Sequence, residues 1–183
     1  MAVFRKKRWW LLLLLTVLLL INTNFFWKLI YPISYKDVIW DIAEQYEQDP
    51  NLIAAIIMVE SRYDKQSISS KGAVGLMQLM PKTATWAAEI NRISYTEMEE
   101  LAKPEINIQL GTWYVKYLQQ KYDHQLPLVL ASYNSGPTRV DEWLVQQTWD
   151  GRLETIDQIP FGETRHYVQK VVHFYERYQK IYD

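Results

Sequence analysis

The sequence predicts an all-α domain preceded by one N-terminal transmembrane helix. Three observations carry this. Apolar residues recur at spacings of three and four along most of the chain after residue 34. Pro50, Pro81, Pro104 and Pro137 each stand where a periodic stretch begins, the position a helix tolerates. No strand pair or Asn-Gly hairpin signal is present, although the turn residues allow a short ribbon within 63–80 or 148–162.

The chain opens with Arg5-Lys6-Lys7-Arg8, then thirteen residues from Trp9 to Ile21 interrupted only by Thr16. Extended to Trp27 this makes 19 residues. As a helix they span about 28 Å, roughly one hydrocarbon thickness. Trp at both ends suits the two interfaces, and the basic cluster sets the cytoplasmic side. A cleaved signal peptide fits the short apolar core, but no A-x-A-like cleavage site follows it. The expected organisation is a cytoplasmic basic stub at 1–8, an uncleaved signal anchor at 9–30 and an outer domain at 31–183. That makes a single-pass cell-membrane protein with its domain extracytoplasmic.

All 21 acidic residues follow Tyr35, and five of the 20 basic residues precede Tyr31. The outer domain thus carries a net charge of −6. That excludes nucleic-acid binding by electrostatics. The absence of Cys excludes disulfides, thiolate metal sites, a Cys nucleophile and a lipoprotein anchor. With 3 scattered His and no HExxH, no zinc site and no cofactor is expected, and His124, His166 and His173 read as surface residues. Aromatics make up 14% of the chain, with 8 Trp and 13 Tyr, enough for a core and for stacking on sugar rings.

Within the domain the helices follow in order. Ser34 and Asp37 suit a capping box, with Val38, Ile42 and Tyr46 on one face. Asp49 caps a helix whose first residue is Pro50 and which runs to Arg62. Residues 63–80 lack a long period and hold Gly72 and Gly75, so they read as an ordered loop. Pro81 starts a helix to Ile90, and Thr96 with Glu99 marks the cap of a short one. A longer helix from Pro104 to Tyr122 buries Ile106, Leu110, Trp113 or Tyr114, and Tyr117. Leu126 to Tyr133 is a buried short helix, and Pro137 starts another to about Gln147. The last helix, from Glu163 to Ile181, carries the stripe Tyr167, Val171, Phe174, Tyr175 and Tyr178.

Glu60 is the leading candidate for chemistry. It closes the apolar run Leu52-Ile53-Ala54-Ala55-Ile56-Ile57-Met58-Val59 and shares a helical face with Ile53 and Ile56. A carboxyl emerging from packed surface at a helix C-terminus is desolvated and faces the negative end of the dipole. Both effects raise its pKa above the free value of about 4.3. An acid kept protonated near neutral pH is what glycosidic cleavage requires.

Glu60-Ser61-Arg62-Tyr63 is followed by Gly72-Ala73-Val74-Gly75-Leu76-Met77-Gln78-Leu79-Met80-Pro81 and Asn107-Ile108-Gln109-Leu110-Gly111. Then come Ala131-Ser132-Tyr133-Asn134-Ser135-Gly136-Pro137 and Ile159-Pro160-Phe161-Gly162-Glu163-Thr164-Arg165-His166-Tyr167-Val168. In this order they resemble the catalytic domain of the soluble-type lytic transglycosylases, over about residues 35 to 180. The resemblance implies a lysozyme-like fold, peptidoglycan glycan strands as the partner, and Glu60 as catalytic acid and base. It implies that Ser61 and Gln78 are polar neighbours of Glu60, that Met77 and Met80 line the cleft, and that Tyr133 and Asn134 face the acid. It also implies that Glu163 and Tyr167 close the site. These eight are the expected substrate-binding residues. Ser132 and Ser135 depart from the family's commoner alanines, and Asp64-Lys65-Gln66 from its usual Asn-Pro turn.

No second acidic residue stands close after Glu60 at a motif-like position; Asp64, four residues on, lies beyond the helix and reads as solvated. A two-carboxylate glycosidase is therefore not the expectation. The expected product is a 1,6-anhydromuramic end, formed by the sugar's own C6 hydroxyl, with the Tyr133 hydroxyl bonded to Glu60 directly or through one water. Two alternatives stand beside it: a hydrolytic muramidase on the same fold, and a non-catalytic peptidoglycan-binding scaffold.

Overall fold

A computed structural model describes residues 9–10, 15–17, 19, 23–95 and 98–183. Nine helices can be followed from residue 24 onward: α1 (Asn24–Ile30), α2 (Lys36–Gln45), α3 (Pro50–Ser61), α4 (Pro81–Asn91), α5 (Met98–Leu101), α6 (Pro104–Lys121), α7 (Leu126–Ser135), α8 (Pro137–Val145) and α9 (Gly162–Tyr182). A 3-10 turn, Ile156–Gln158, precedes α9. No extended strand forms among the described residues. The only β pairing there is two isolated bridges, Ile68 with Val74 and Val74 with Leu79.

α3 is the central helix. Asp49 caps it by accepting from the Asn51 N–H at 2.8 Å, and every residue from Asn51 to Ile57 is buried. Burying each of Ile53, Ile56 and Ile57 contributes roughly 2 kcal/mol. The helix is apolar on all sides because it is packed on all sides. α9 runs along α3 and also touches α7 and α1, while α2 bridges α3 and α6. A second tie to α9 comes from the cap itself, since Asp49 also accepts from the Tyr175 hydroxyl at 2.6 Å.

Three local expectations are corrected. The Ser34 capping box does not form. Tyr35 stands at the N-cap in a left-handed conformation, φ 57°, without a side-chain bond. The buried stripe of α2 is Ile39, Ala43 and Tyr46, one residue round from the predicted Val38 and Ile42. On α6 Leu110 and Tyr114 are buried as expected, but Ile106, Trp113 and Tyr117 are only half-buried, and Asn107, Ile108, Gly111, Thr112, Val115 and Leu118 complete the buried face. The expected cap at Thr96 lies outside the described residues.

Part of the predicted signal anchor at 9–30 also lies outside the described residues. Among those described, no helix is long and apolar enough to cross a membrane. Its last part is α1, seven residues that pack against the end of α9. The Tyr182 hydroxyl donates to the Tyr31 carbonyl at 2.8 Å, and Lys28 Nζ sits 5.3 Å from the Tyr182 ring centroid.

Candidate active site

Three helix ends and one loop converge. The last turn of α3 supplies Glu60, the last turn of α7 supplies Tyr133 and Asn134, and the first turns of α9 supply Glu163 and Tyr167. The loop between α3 and α4 covers them. It leaves α3 through Arg62 and Tyr63, both with positive φ (52° and 65°), a sharp change of direction.

Asn107 of α6 fixes this loop from below. It is fully buried and satisfied. Its Oδ1 accepts from the Met77 N–H at 2.7 Å, and its Nδ2 donates to the Val74 and Leu101 carbonyls at 2.9 Å each. Gly75, at φ 80°, lies so close that a Cβ there would collide with the Asn107 side chain. From above, the Tyr133 hydroxyl donates to the Met77 carbonyl at 2.8 Å. The Met77 peptide is thus held on both sides, and Gln78, the next residue, is locked at φ 47°.

Two adjoining cavities form a groove across this frame. One, of about 220 Å³, is lined by Glu60, Ser69, Ser70, Lys71, Ala73, Gln78, Met80, Tyr133, Asn134 and Glu163. The other, of about 250 Å³, shares Gln78, Met80, Tyr133 and Asn134 and adds Thr83, Tyr114 and Gly136. Larger openings lie elsewhere, about 490 Å³ against α9 and about 600 Å³ at the end of α4, but none of the sequence-predicted site residues lines them. The sequence-predicted titratable groups converge on the smaller pair of cavities, not on the larger openings.

Glu60 is half-buried as a residue, and the loss of solvent around its carboxyl is the largest influence on it. Its pKa is raised to about 7. The nearby Glu163 charge adds a smaller push upward, and the Tyr167 hydroxyl partly offsets both by favouring the carboxylate. Tyr167 is 6% exposed, and its hydroxyl makes no hydrogen bond of strict geometry. It is the phenol best placed to follow the charge on Glu60.

The predicted residues separate into those that reach the groove and those that do not. Gln78 donates through Nε2 to the Ser67 and Gly75 carbonyls at 3.0 and 2.9 Å, leaving Oε1 as an acceptor. Met80 is 43% exposed and lines both cavities. Asn134 Oδ1 accepts from Thr164 at 2.9 Å, tying α7 to α9. Glu163 is exposed and lies 3.5 Å from Lys71 Nζ across the first cavity. Two expectations are corrected. Met77 is fully buried beneath Gly111, where a Cβ would strike its sulfur, so its side chain is core rather than cleft lining. Ser61 lines neither cavity; its hydroxyl lies 2.8 Å from the Leu76 carbonyl and 3.2 Å from that of Ile57, joining helix to loop. The Tyr133 proton likewise goes to Met77, not directly to Glu60. Lys71, Tyr114, Asn107 and Thr164 carry site geometry that the sequence reading assigned no role. Asn107 left one signal, its place at the head of the motif Asn107-Ile108-Gln109-Leu110-Gly111.

A family model described as a transglycosylase SLT domain matches residues 37–156. The chain belongs to this family. The chain is 36% identical over 154 residues to the soluble lytic murein transglycosylase of Escherichia coli K12, covering 81% of this chain and 24% of that protein. The structure of the 70 kDa soluble lytic transglycosylase from Escherichia coli matches with a TM-score of 0.78 at 32% identity, over 85% of this chain and 25% of that one. An inactive glutamate-to-glutamine mutant of lytic transglycosylase Slt from Pseudomonas aeruginosa matches at 0.76 and 32%, over 84% and 25%. The all-helical, lysozyme-like fold is therefore shared, while this chain spans about a quarter of the length of these relatives.

Proposed function

We propose that the SLT domain is a peptidoglycan lytic transglycosylase with Glu60 as its single general acid and base. One observation carries the reading: a carboxyl with its pKa raised to about 7 opens onto a groove, so it holds its proton near neutral pH. Glu60 gives that proton to the glycosidic oxygen between N-acetylmuramic acid and N-acetylglucosamine, and the C1–O bond breaks. The 2-acetamido oxygen of the muramic acid supports the positive charge at C1. The C6 hydroxyl of the same sugar then attacks C1, and the Glu60 carboxylate takes its proton. Bonds and protons balance without water, and the product ends in 1,6-anhydromuramic acid. Intramolecular attack gains from proximity. The Tyr167 hydroxyl steadies the carboxylate between the two transfers.

The inactivity named for the Pseudomonas glutamate-to-glutamine mutant supports the role of the acid. Gln78, Met80, Tyr133 and Asn134 are the residues we assign to sugar contacts. The presence of Glu163 in the same cavity keeps hydrolysis as the second reading, since a second carboxylate could hold a water. Mass analysis of early muropeptide products separates the two. Anhydro ends, one water lighter, support the transglycosylase, and mainly reducing muramic ends overturn it.

We also propose that Arg5–Arg8 and the apolar run to Trp27 anchor the domain outside the cell membrane, uncleaved. Detergent-dependent release of a chain that retains residues 1–22 is the expected result. A mature chain beginning after about residue 22, released without detergent, would show a cleaved signal instead.

A further inference from the structure

We propose that Trp86, Trp113 and Tyr117 extend the groove as a stacking surface for the glycan strand beyond the two cavities; this rests on the reading that the groove takes peptidoglycan. The rings continue from the site without a break. Tyr133, which faces both cavities, lies 5.5 Å from Tyr114 between centroids. Tyr114 lines the outer cavity and lies nearly parallel to Tyr117, at 11° and 6.2 Å. Tyr117 in turn lies at 19° and 6.0 Å from Trp113. Trp86 stands edge-on to this row, 4.8 Å from both Trp113 and Tyr117. Thr83, one turn before Trp86 on α4, is itself a wall of the outer cavity.

The cluster joins α4 to α6 and still leaves ring surface open to solvent. On α4 the buried residues are Ala84, Ala87 and Ala88. Trp86 meets the α6 rings from the surface side, 36% exposed, and Trp113 and Tyr117 are half-buried. The indole N–H groups of Trp86 and Trp113 and the Tyr117 hydroxyl make no protein hydrogen bond among the described residues, and neither the Trp113 N–H nor the Tyr117 hydroxyl is sealed from solvent. An apolar ring face with an unspent donor at its edge matches a pyranose, which offers C–H bonds on its face and hydroxyl or N-acetyl acceptors around its rim. The cluster carries no charge, so it selects for the sugar backbone rather than for the acidic stem peptides.

The test uses the full chain in detergent, carrying Glu60→Gln so that bound glycan is not consumed. Trp86→Leu and Trp113→Leu keep an apolar side chain but remove the ring face. Affinity is measured by calorimetry for long peptide-free glycan strands and for a tetrasaccharide that fills only the cavities. Each variant should bind long strands roughly 5-fold more weakly, the size expected for one lost ring contact. The tetrasaccharide affinity should be unchanged. Equal weakening at both lengths would show a packing role and overturn the proposal; unchanged binding of long strands would overturn it too, with the groove reading intact. If the Glu60→Gln parent binds neither ligand, the underlying reading fails and this one with it. Should the Leu variants not fold, Trp86→Tyr serves, with a smaller loss still confined to long strands.

Discussion

Glu60 and Glu163 line the same cavity from opposite helix ends, and the chain treats them differently. Glu60 closes α3, whose preceding residues are buried from Asn51 to Ile57, and the carboxyl inherits that dry surrounding. Glu163 opens α9 at an exposed turn, with 74% of its side chain accessible and Lys71 at 3.5 Å. One helix delivers a carboxyl that resists ionisation, and the other a carboxyl open to water and beside a lysine. An ion pair as exposed as Lys71–Glu163 contributes little to stability. The difference between the two sites is therefore burial, inherited from the helix each carboxyl ends or begins.

The sharpest break of this comparison is to neutralise each acid in turn. Glu60→Gln should lower turnover on glycan strands by at least ~10²-fold, since it removes the proton that assists departure. Glu163→Gln should cost less than about tenfold, because no proton transfer runs through it. Turnover measured on the two purified variants decides this, and an equal loss for both would end the distinction.

The same pair should separate in stability. The Glu60 pKa is about 7 in the folded domain against an ordinary value near 4.5. The folded state therefore binds the proton more tightly, and stability falls as pH rises through the window between those values. Above about 7 the cost is complete; below about 4.5 it vanishes because both states are protonated. Glu60→Gln removes the cost, so it should be more stable than the parent by on the order of 1–2 kcal/mol near pH 8 and no more stable near pH 4. The figure lies below the full conversion of the shift because Glu60 retains some solvent. Denaturant melts at the two pH values are the check, and a gain of similar size at both would mean that Glu60 is not held protonated.

Helix starts and the location of Glu60 were legible in the sequence because both are local. Asp49-Pro50, Pro81, Pro104 and Pro137 all open helices where backbone chemistry says they should. What periodicity could not settle was rotation. A repeat of three and four names a broad face, and on α2 the true stripe lies one residue round, at Ile39 and Ala43. Roles within the loop were hidden for a different reason. Met77 and Met80 are three residues apart in one motif, yet one is fully buried and the other 43% exposed. That outcome depends on Asn107, thirty residues on in the chain, which takes the Met77 N–H, and on Gly111, whose missing Cβ admits the Met77 sulfur. Such pairings are fixed by tertiary packing, and no single stretch of sequence contains both partners.

The smallest expected effect is the most specific to the pairing of the two acids. The negative charge on Glu163 raises the Glu60 pKa, as a like charge should. Glu163→Gln removes that push and leaves Lys71 without its partner near the cavity, which favours the Glu60 carboxylate further. Both changes act in one direction, so the Glu60 pKa should fall. If Glu60 must be protonated to begin the reaction, the alkaline limb of kcat/KM should move to lower pH, by roughly a few tenths of a pH unit given how exposed Glu163 is. Lys71→Gln should move the limb the opposite way, because it leaves the Glu163 charge uncompensated. Opposite displacements by the two variants, in profiles measured at low and high salt and converging as salt rises, would establish that the exposed pair sets the fine level of a pKa whose main level is set by burial. Displacements of the same sign would mean that the variants act through substrate binding instead.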